Sequence, residues 1–290
     1  MTSTSSKTVR TTGKAVLAQA KQKSHSPGVE WLARFGFIVR GLIYVVIGLL
    51  AVQMALGSGG SATSPTGAIA FIGQQPFGNV LLAITAVGLA GYSLWGFIRG
   101  IFDPLGRGSD MKGLFDRGGF IFSGISYAAL MIPPALAVLN MPSNSASGSA
   151  PGVPSSLMAG PMGKWIVIAF GLFWVGAGIG QLAAAYTAHF TRDLNTRKMS
   201  AQELKTATRI GQAGYSARGI VFVLIGLITL QAVFASGSKQ VPGFETALAT
   251  LQQAPYGGLL LGVVAVGLIL FGTYSILGAK WAQTGPDRSG

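Results

Sequence analysis

From Gly41 to Ile98 the chain runs for 58 residues without a formal charge. A helix needs about 20 residues to cross hydrocarbon, so this run is too long for one crossing and fits two with a connection. The break falls at Gly57-Ser58-Gly59-Gly60-Ser61, and the pattern predicts helices over about 35–56 and 77–97. Gln75-Pro76-Phe77-Gly78 opens the second of them, since proline is tolerated in a first turn whose N–H would lack an intrahelical partner. Further apolar runs predict helices over about 118–139, 164–187, 215–235 and, after Ala254-Pro255-Tyr256-Gly257, to about 279. Pro133-Pro134 predicts a kink or an end to the regular part of the third helix. The connection at 99–117 is polar and mixed in sign, 140–160 is a loop of Ser, Pro, Gly and Ala, and 192–209 is the largest hydrophilic connection. Two short stretches, 66–75 and 244–253, read as amphipathic turns or helices at the outer surface.

The pattern also repeats. Gly36-Phe37-Ile38-Val39-Arg40-Gly41 returns as Gly214-Tyr215-Ser216-Ala217-Arg218-Gly219, and the 19 residues from Gly36 match those from Gly214 at eight positions. A degenerate copy, Gly119-Phe120-Ile121-Phe122-Ser123-Gly124, places Ser123 where the other two carry arginine. The X-Pro-apolar-Gly signature recurs three times, its middle copy being Gly160-Pro161-Met162-Gly163. The expected organisation is a basic mobile tail (1–30), a first two-helix unit (31–103), a degenerate second unit (115–191), a cytoplasmic linker (192–209), a third unit (210–283) and a C-terminal tail (284–290). The fold class is then an all-α membrane protein, with six transmembrane helices arranged as three parallel tandem hairpins. Each unit enters from and returns to one side, unlike the inverted repeats of many transporters.

Composition sharpens this reading. Half of the 290 residues are hydrophobic and a tenth are charged, far from the quarter typical of soluble chains. The 43 glycines suit helices whose backbones approach closely in lipid. Absence of cysteine excludes disulfides, thiolate metal sites and cysteine nucleophiles. The net charge of +13 is a matter of topology: 19 of the 21 Lys and Arg fall in the tails and alternate connections, leaving only Lys164 and Lys239 in the others. This split puts both termini in the cytoplasm, and no basic folded domain is present to bind nucleic acid. The tail, with Lys14 to Lys23 at its centre, reads as a solvated arm or as a segment that becomes helical on an anionic surface.

Candidate chemistry is sparse. Arg40 and Arg218 stand about one turn inside apolar runs, where a guanidinium must snorkel to the headgroups, pair, or serve as a cation site for an anionic lipid or partner. Gln53, Gln181 and Gln231 are intramembrane polar candidates, read as interhelical hydrogen bonds or as the polar lining of a solute path. Tyr44, Tyr92 and Tyr274 read as packing aromatics. Gly41 and Gly48, repeated as Gly219 and Gly226, form small-residue stripes for helix packing. His25 and His189 are the only histidines, so no haem, metal or other cofactor is expected. All acidic residues fall outside the predicted spans, which leaves proton coupling without carriers. Gly176-Ala177-Gly178-Ile179-Gly180 lies inside an apolar helix, not after a strand, and no nucleophile or nucleotide motif occurs. The function expected is that of a non-enzymatic scaffold or accessory subunit binding anionic membrane lipids or a membrane partner, with homo-oligomerisation open. The alternative is a small channel or carrier with a path between the repeats.

These motifs resemble the bacterial membrane-protein family called domain of unknown function 1206, with its Gly-aromatic-x-x-Arg-Gly start and Gln-Pro-aromatic-Gly return. The resemblance covers about residues 31–283. It implies three tandem two-helix units in a bacterial inner membrane, and it brings no activity, cofactor or catalytic residue.

Overall fold

The computed structural model describes residues 27–141, 163–234 and 243–283. The tail up to residue 26, most of the 140–160 loop with Pro161 and Met162, Lys239, and the segment 284–290 lie outside the described residues. Among the described residues there are eight α-helices: α1 (Pro27–Ala55), α2 (Pro65–Gly73), α3 (Gly78–Phe102), α4 (Met111–Val138), α5 (Gly163–Thr187), α6 (Ala201–Phe234), α7 (Phe244–Gln253) and α8 (Gly257–Trp281). All but α2 and α7 are long and apolar enough to cross a membrane. The all-helical, multi-pass make-up expected from the pattern is borne out.

Three helices begin well before their apolar runs. At α6, Ser200 N donates to Glu203 Oε2 at 2.8 Å and Glu203 N to Ser200 Oγ at 3.2 Å. This reciprocal cap starts a helix in polar sequence, so the second half of the expected 192–209 linker is helical. At α4, Asp110 accepts from Gly113 N at 3.3 Å. Hydropathy marks where hydrocarbon begins, whereas caps mark where helix begins. Helix α4 also continues through Pro133-Pro134 to Val138, so the prolines do not end it. The prolines at 76 and 255 lie before the helices they were expected to open, and the N-caps are Phe77 and Tyr256 in the left-handed region, at φ 62° and 58°.

The long helices neighbour one another in the order α1, α3, α4, α5, α6, α8, with α8 returning to α1. The closest packing joins successive units, not the two helices of one unit: α1 on α8, α4 on α3, and α6 on α5. Glycine makes each seam. A Cβ on Gly41 would lie 2.6 Å from Gly272 O, one on Gly124 3.1 Å from Ser93 O, and one on Gly219 3.0 Å from Gly178 O. These are the same position of the repeat three times over. One turn or two further on, Gly48 faces Ala265 O at 2.8 Å and Gly226 faces Gly171 O at 2.7 Å by the same measure. With apolar side chains gaining nothing from leaving lipid, close backbone approach of this kind supplies the dispersion energy that holds helices together.

Within the first and third units the helices also close on glycine. Gly36 lies against Gly88 O and the backbone of Tyr92, and its counterpart Gly214 lies against the backbone of Phe271. The counterpart in the middle unit, Gly119, has nothing within 4 Å of an added Cβ. The cause is visible in the facing pair. Gly88 receives Val39, and Gly267 receives Ala217; at the equivalent place in the middle unit stand Phe122 and Phe173, with ring centroids 4.5 Å apart. Two rings where the other units pair a small residue with glycine keep α4 and α5 apart. Accordingly 17% of the apolar stretch of each is buried, against 50% for α1 and α8 and 56% for α3.

At one end of the bundle, Asn195 N donates to Trp281 O at 2.7 Å and Gln283 N to Asp193 O at 2.9 Å, tying the α5–α6 connection to the end of α8. Arg34 donates to Lys280 O at 2.6 Å, capping the last carbonyls of α8 from α1. At the other end, Ser64 Oγ, the cap of α2, donates to Glu245 Oε1 of α7 at 2.8 Å and joins the two short helices.

Candidate functional site

Because the ring closes tightly at five seams and stays open at the sixth, it encloses a chamber of about 970 Å³. All six long helices contribute to its wall. Ser64, Pro65, Thr66 and Phe244 line one end, and Asp193 and His189 the other. Between them the wall is largely aromatic. Tyr92 meets Phe37 and Tyr127 edge-on at 5.1 and 4.5 Å and Trp174 meets Phe222 at 4.7 Å, while Tyr44 rests on Phe271, which is buried behind the wall, at 4.8 Å.

Arg40 and Arg218 both point into this aromatic chamber. Arg40 is buried, with Nε donating to Ser275 Oγ at 2.9 Å and Nη1 donating to the Tyr92 hydroxyl. Its guanidinium carbon lies 4.5 Å from the Tyr92 ring centre, 5.0 Å from Phe37 and 5.3 Å from Phe271. Arg218 lies 4.7 Å from the Phe222 ring, 4.8 Å from Phe271 and 5.4 Å from Tyr44. Ring faces attract cations by about 0.5–2 kcal/mol each, which holds the guanidiniums inward without neutralising them. Neither arginine has a carboxylate partner among the described residues. Sharing the Phe271 ring places the two carbons within about 10 Å of each other. In a protein-like dielectric that spacing means mutual repulsion of at least roughly 1.5 kcal/mol.

Two further arginines stand at the Asp193 end. Arg99 is 4% exposed and lies 4.2 Å from the Phe120 ring; Arg107 makes a 2.5 Å ion pair with Asp193, whose other oxygen is 3.7 Å from Arg99. His189 and Asp116 approach to 3.7 Å nearby. Four arginines against two aspartates leave the wall positively charged.

The unpaired polar atoms concentrate here too. Among the described residues six buried side-chain polar atoms lack a hydrogen-bond partner, and five of them belong to chamber residues: Arg99 Nε, Arg107 Nε, Arg218 Nε, Trp174 Nε1 and Gln181 Oε1. Four of the five are N–H donors. Buried donors without acceptors cost about 1–3 kcal/mol each, and a ligand rich in acceptors would recover this.

The sequence-derived candidates separate clearly. Arg40, Arg218 and Gln181 share the chamber, as do Tyr44, Tyr92 and Tyr274. Gln53 and Gln231 are exposed and do not line it. Gly41, Gly48, Gly219 and Gly226 lie in the inter-unit seams. Sequence reading missed Arg99, Arg107 and Ser275; of the acidic residues it offers as edge partners for Arg40 and Arg218, namely Asp103, Asp116 and Asp193, the last pairs instead with Arg107 and Arg99. Arg99 closes the uncharged run that Arg40 opens, a signal that it flanks the same space. Asp193 reaches the wall from a 3-10 turn, His189–Asp193.

Similarity to known proteins divides along the same lines. The family described as Domain of Unknown Function (DUF1206) matches residues 35–103 and 213–282, the first and third units, and leaves the divergent middle unit unmatched. A curated relative, the uncharacterized protein YxxB of Bacillus subtilis (strain 168), is 30% identical over 261 residues, covering 90% of this chain and 94% of its own. No solved structure matches the chain.

Proposed function

The chain belongs to the DUF1206 family, and from its own geometry we propose that it is a non-enzymatic membrane protein that holds an anionic lipid in the chamber, the headgroup at Arg40 and Arg218. The observation that carries this reading is the run of unpartnered donors at Arg218, Trp174, Arg99 and Arg107 inside an aromatic, net-positive cavity. An isolated cation is costly in low dielectric, and a phosphate or carboxylate offers both the charge and the acceptors. The aromatic remainder of the wall suits hydrocarbon. In this reading three like-directed hairpins cross a bacterial inner membrane with both termini in the cytoplasm, and the Asp193 end of the chamber faces the cytoplasm. The chain then acts as a lipid-holding scaffold or accessory subunit.

The experiment is lipid analysis of protein purified in mild detergent, wild type against Arg40→Gln/Arg218→Gln. The reading expects anionic lipid enriched at least tenfold over bulk composition in the wild type and lost in the variant. Equal lipid content in both would remove the two arginines from the site.

A second reading, a small channel or carrier, draws on the chamber's reach from Ser64 and Thr66 to Asp193. Flux of small anions across proteoliposomes, abolished by Arg218→Gln, would favour it over retention of lipid.

A further inference from the structure

The divergence of the middle unit is the feature that neither packing nor charge requires. Three equivalent positions across the repeat carry Val39 on Gly88, Phe122 on Phe173, and Ala217 on Gly267. Two of the three close a hairpin and the third holds it open. The opening leads into the arginine chamber, because Phe122, Ile125, Ser126, Phe173, Trp174 and Ala177 of α4 and α5 belong to the chamber wall. It faces the side of the bundle, where Ile125 and Leu172 are more than half exposed, so hydrocarbon outside and chamber inside communicate without passage through water.

We propose that Phe122 and Phe173 form a lateral doorway, through which the hydrocarbon chain of an anionic lipid passes while its headgroup is held at Arg40 and Arg218. This rests on the lipid reading of the chamber. The occupant is argued from continuity and charge. A headgroup that neutralises the two arginines must bring its tail with it, and among the described residues the one break in the ring of long helices is lined by apolar and aromatic side chains. No described helix of this chain fills the gap: an added Cβ on Gly119 of α4, or on Gly176 or Gly180 of α5, would meet nothing within 4 Å. Trp174, beside Phe173 at 6.0 Å between ring centroids, reports on the passage.

The test uses full-length protein in nanodiscs carrying phosphatidylglycerol with brominated acyl chains, or brominated phosphatidylcholine as the neutral counterpart. The Trp174 signal is isolated by difference from Trp174→Phe. The variant Phe122→Val/Phe173→Gly rebuilds the Val39–Gly88 contact. Expected are Trp174 quenching at least threefold stronger with the anionic lipid in the wild type, and a loss of that difference together with at least tenfold slower lipid exchange in the variant. Should the variant fail to fold, Phe122→Cys/Phe173→Cys bridged by a short bis-maleimide after folding serves instead, unambiguous because the chain has no other cysteine. Anionic lipid that copurifies with the wild type but exchanges at the same rate after bridging overturns the doorway and spares the chamber. No anionic lipid with either protein removes the chamber reading itself. Cross-links between the Phe122→Cys positions of two chains would assign the gap to a second copy and overturn the doorway.

Discussion

Arg40 in α1 donates to Ser275 in α8, 235 positions later, and Ser275 in turn donates to Phe37 O at 2.8 Å, one helical turn before the arginine. The first and last units are thus joined through one fully buried hydroxyl. Positions equivalent to Ser275 in the other units are Gly96, which packs on Gly124, and Gln181, which faces the chamber. Ser275→Ala should strand a charged donor and lower stability by about 1–3 kcal/mol. Thermal unfolding in detergent measures this, and an unchanged midpoint would mean that the Arg40–Tyr92 bond suffices.

Arg40 and Arg218 should behave differently when neutralised in lipid-free protein. Arg40→Met removes a partner from both Ser275 and Tyr92, and an apolar residue at 40 should cost roughly 1–3 kcal/mol. Arg218→Met deletes a charge with an unpaired Nε and should be neutral or stabilising by about 1 kcal/mol. Paired unfolding curves without added lipid check the order, which reverses if Arg218 is the structural member.

The glycine seams predict a position-specific response. Gly41→Val or Gly226→Val would drive side-chain atoms into facing backbone 2.6–2.7 Å from the first added carbon, and overpacking of this kind costs about 1–3 kcal/mol or more. Gly176→Ala, which meets open space, should be neutral or gain up to about 1 kcal/mol from helix propensity. Comparable losses at Gly41 and Gly176 would contradict the seam assignment.

At the Asp193 end one carboxylate serves two arginines. Asp193→Asn should destabilise by roughly 2 kcal/mol, less than the 3–5 typical of a fully buried pair because Asp193 is 29% exposed. A double-mutant cycle with Arg107→Met isolates the pair, and a coupling near zero would show that the end is held instead by the Leu194–Ala282 backbone bridge.

The orientation is testable without background labelling, since the chain lacks cysteine. Lys112→Cys and Lys205→Cys should react with an impermeant maleimide from one side of the membrane, and Ser58→Cys from the other. Labelling of 112 and 205 from opposite sides would break the repeat topology.

Much of this molecule is written in one dimension. Burying backbone in hydrocarbon forces helices of about 20 apolar residues, so the 58 uncharged residues after Arg40, the recurring Arg-Gly pairs and the return turns suffice to place six spans, two short helices and two arginines inside apolar runs, though not the direction in which Arg40 and Arg218 lean. The glycine stripes announce close seams but not their partners. The folded ring puts its tightest contacts between units, Gly41 on Gly272 and Gly219 on Gly178. Only the tertiary structure decided that Gln53 and Gln231 face outward while Gln181 faces the chamber, and that Arg99 and Asp193 meet there. The physical reason is that helix periodicity fixes which residues share a face, while the partner of that face depends on steric fit across the ring. The exchange of an aliphatic residue and glycine for Phe122 and Phe173 alters that fit, and the altered fit separates a closed hairpin from an open chamber.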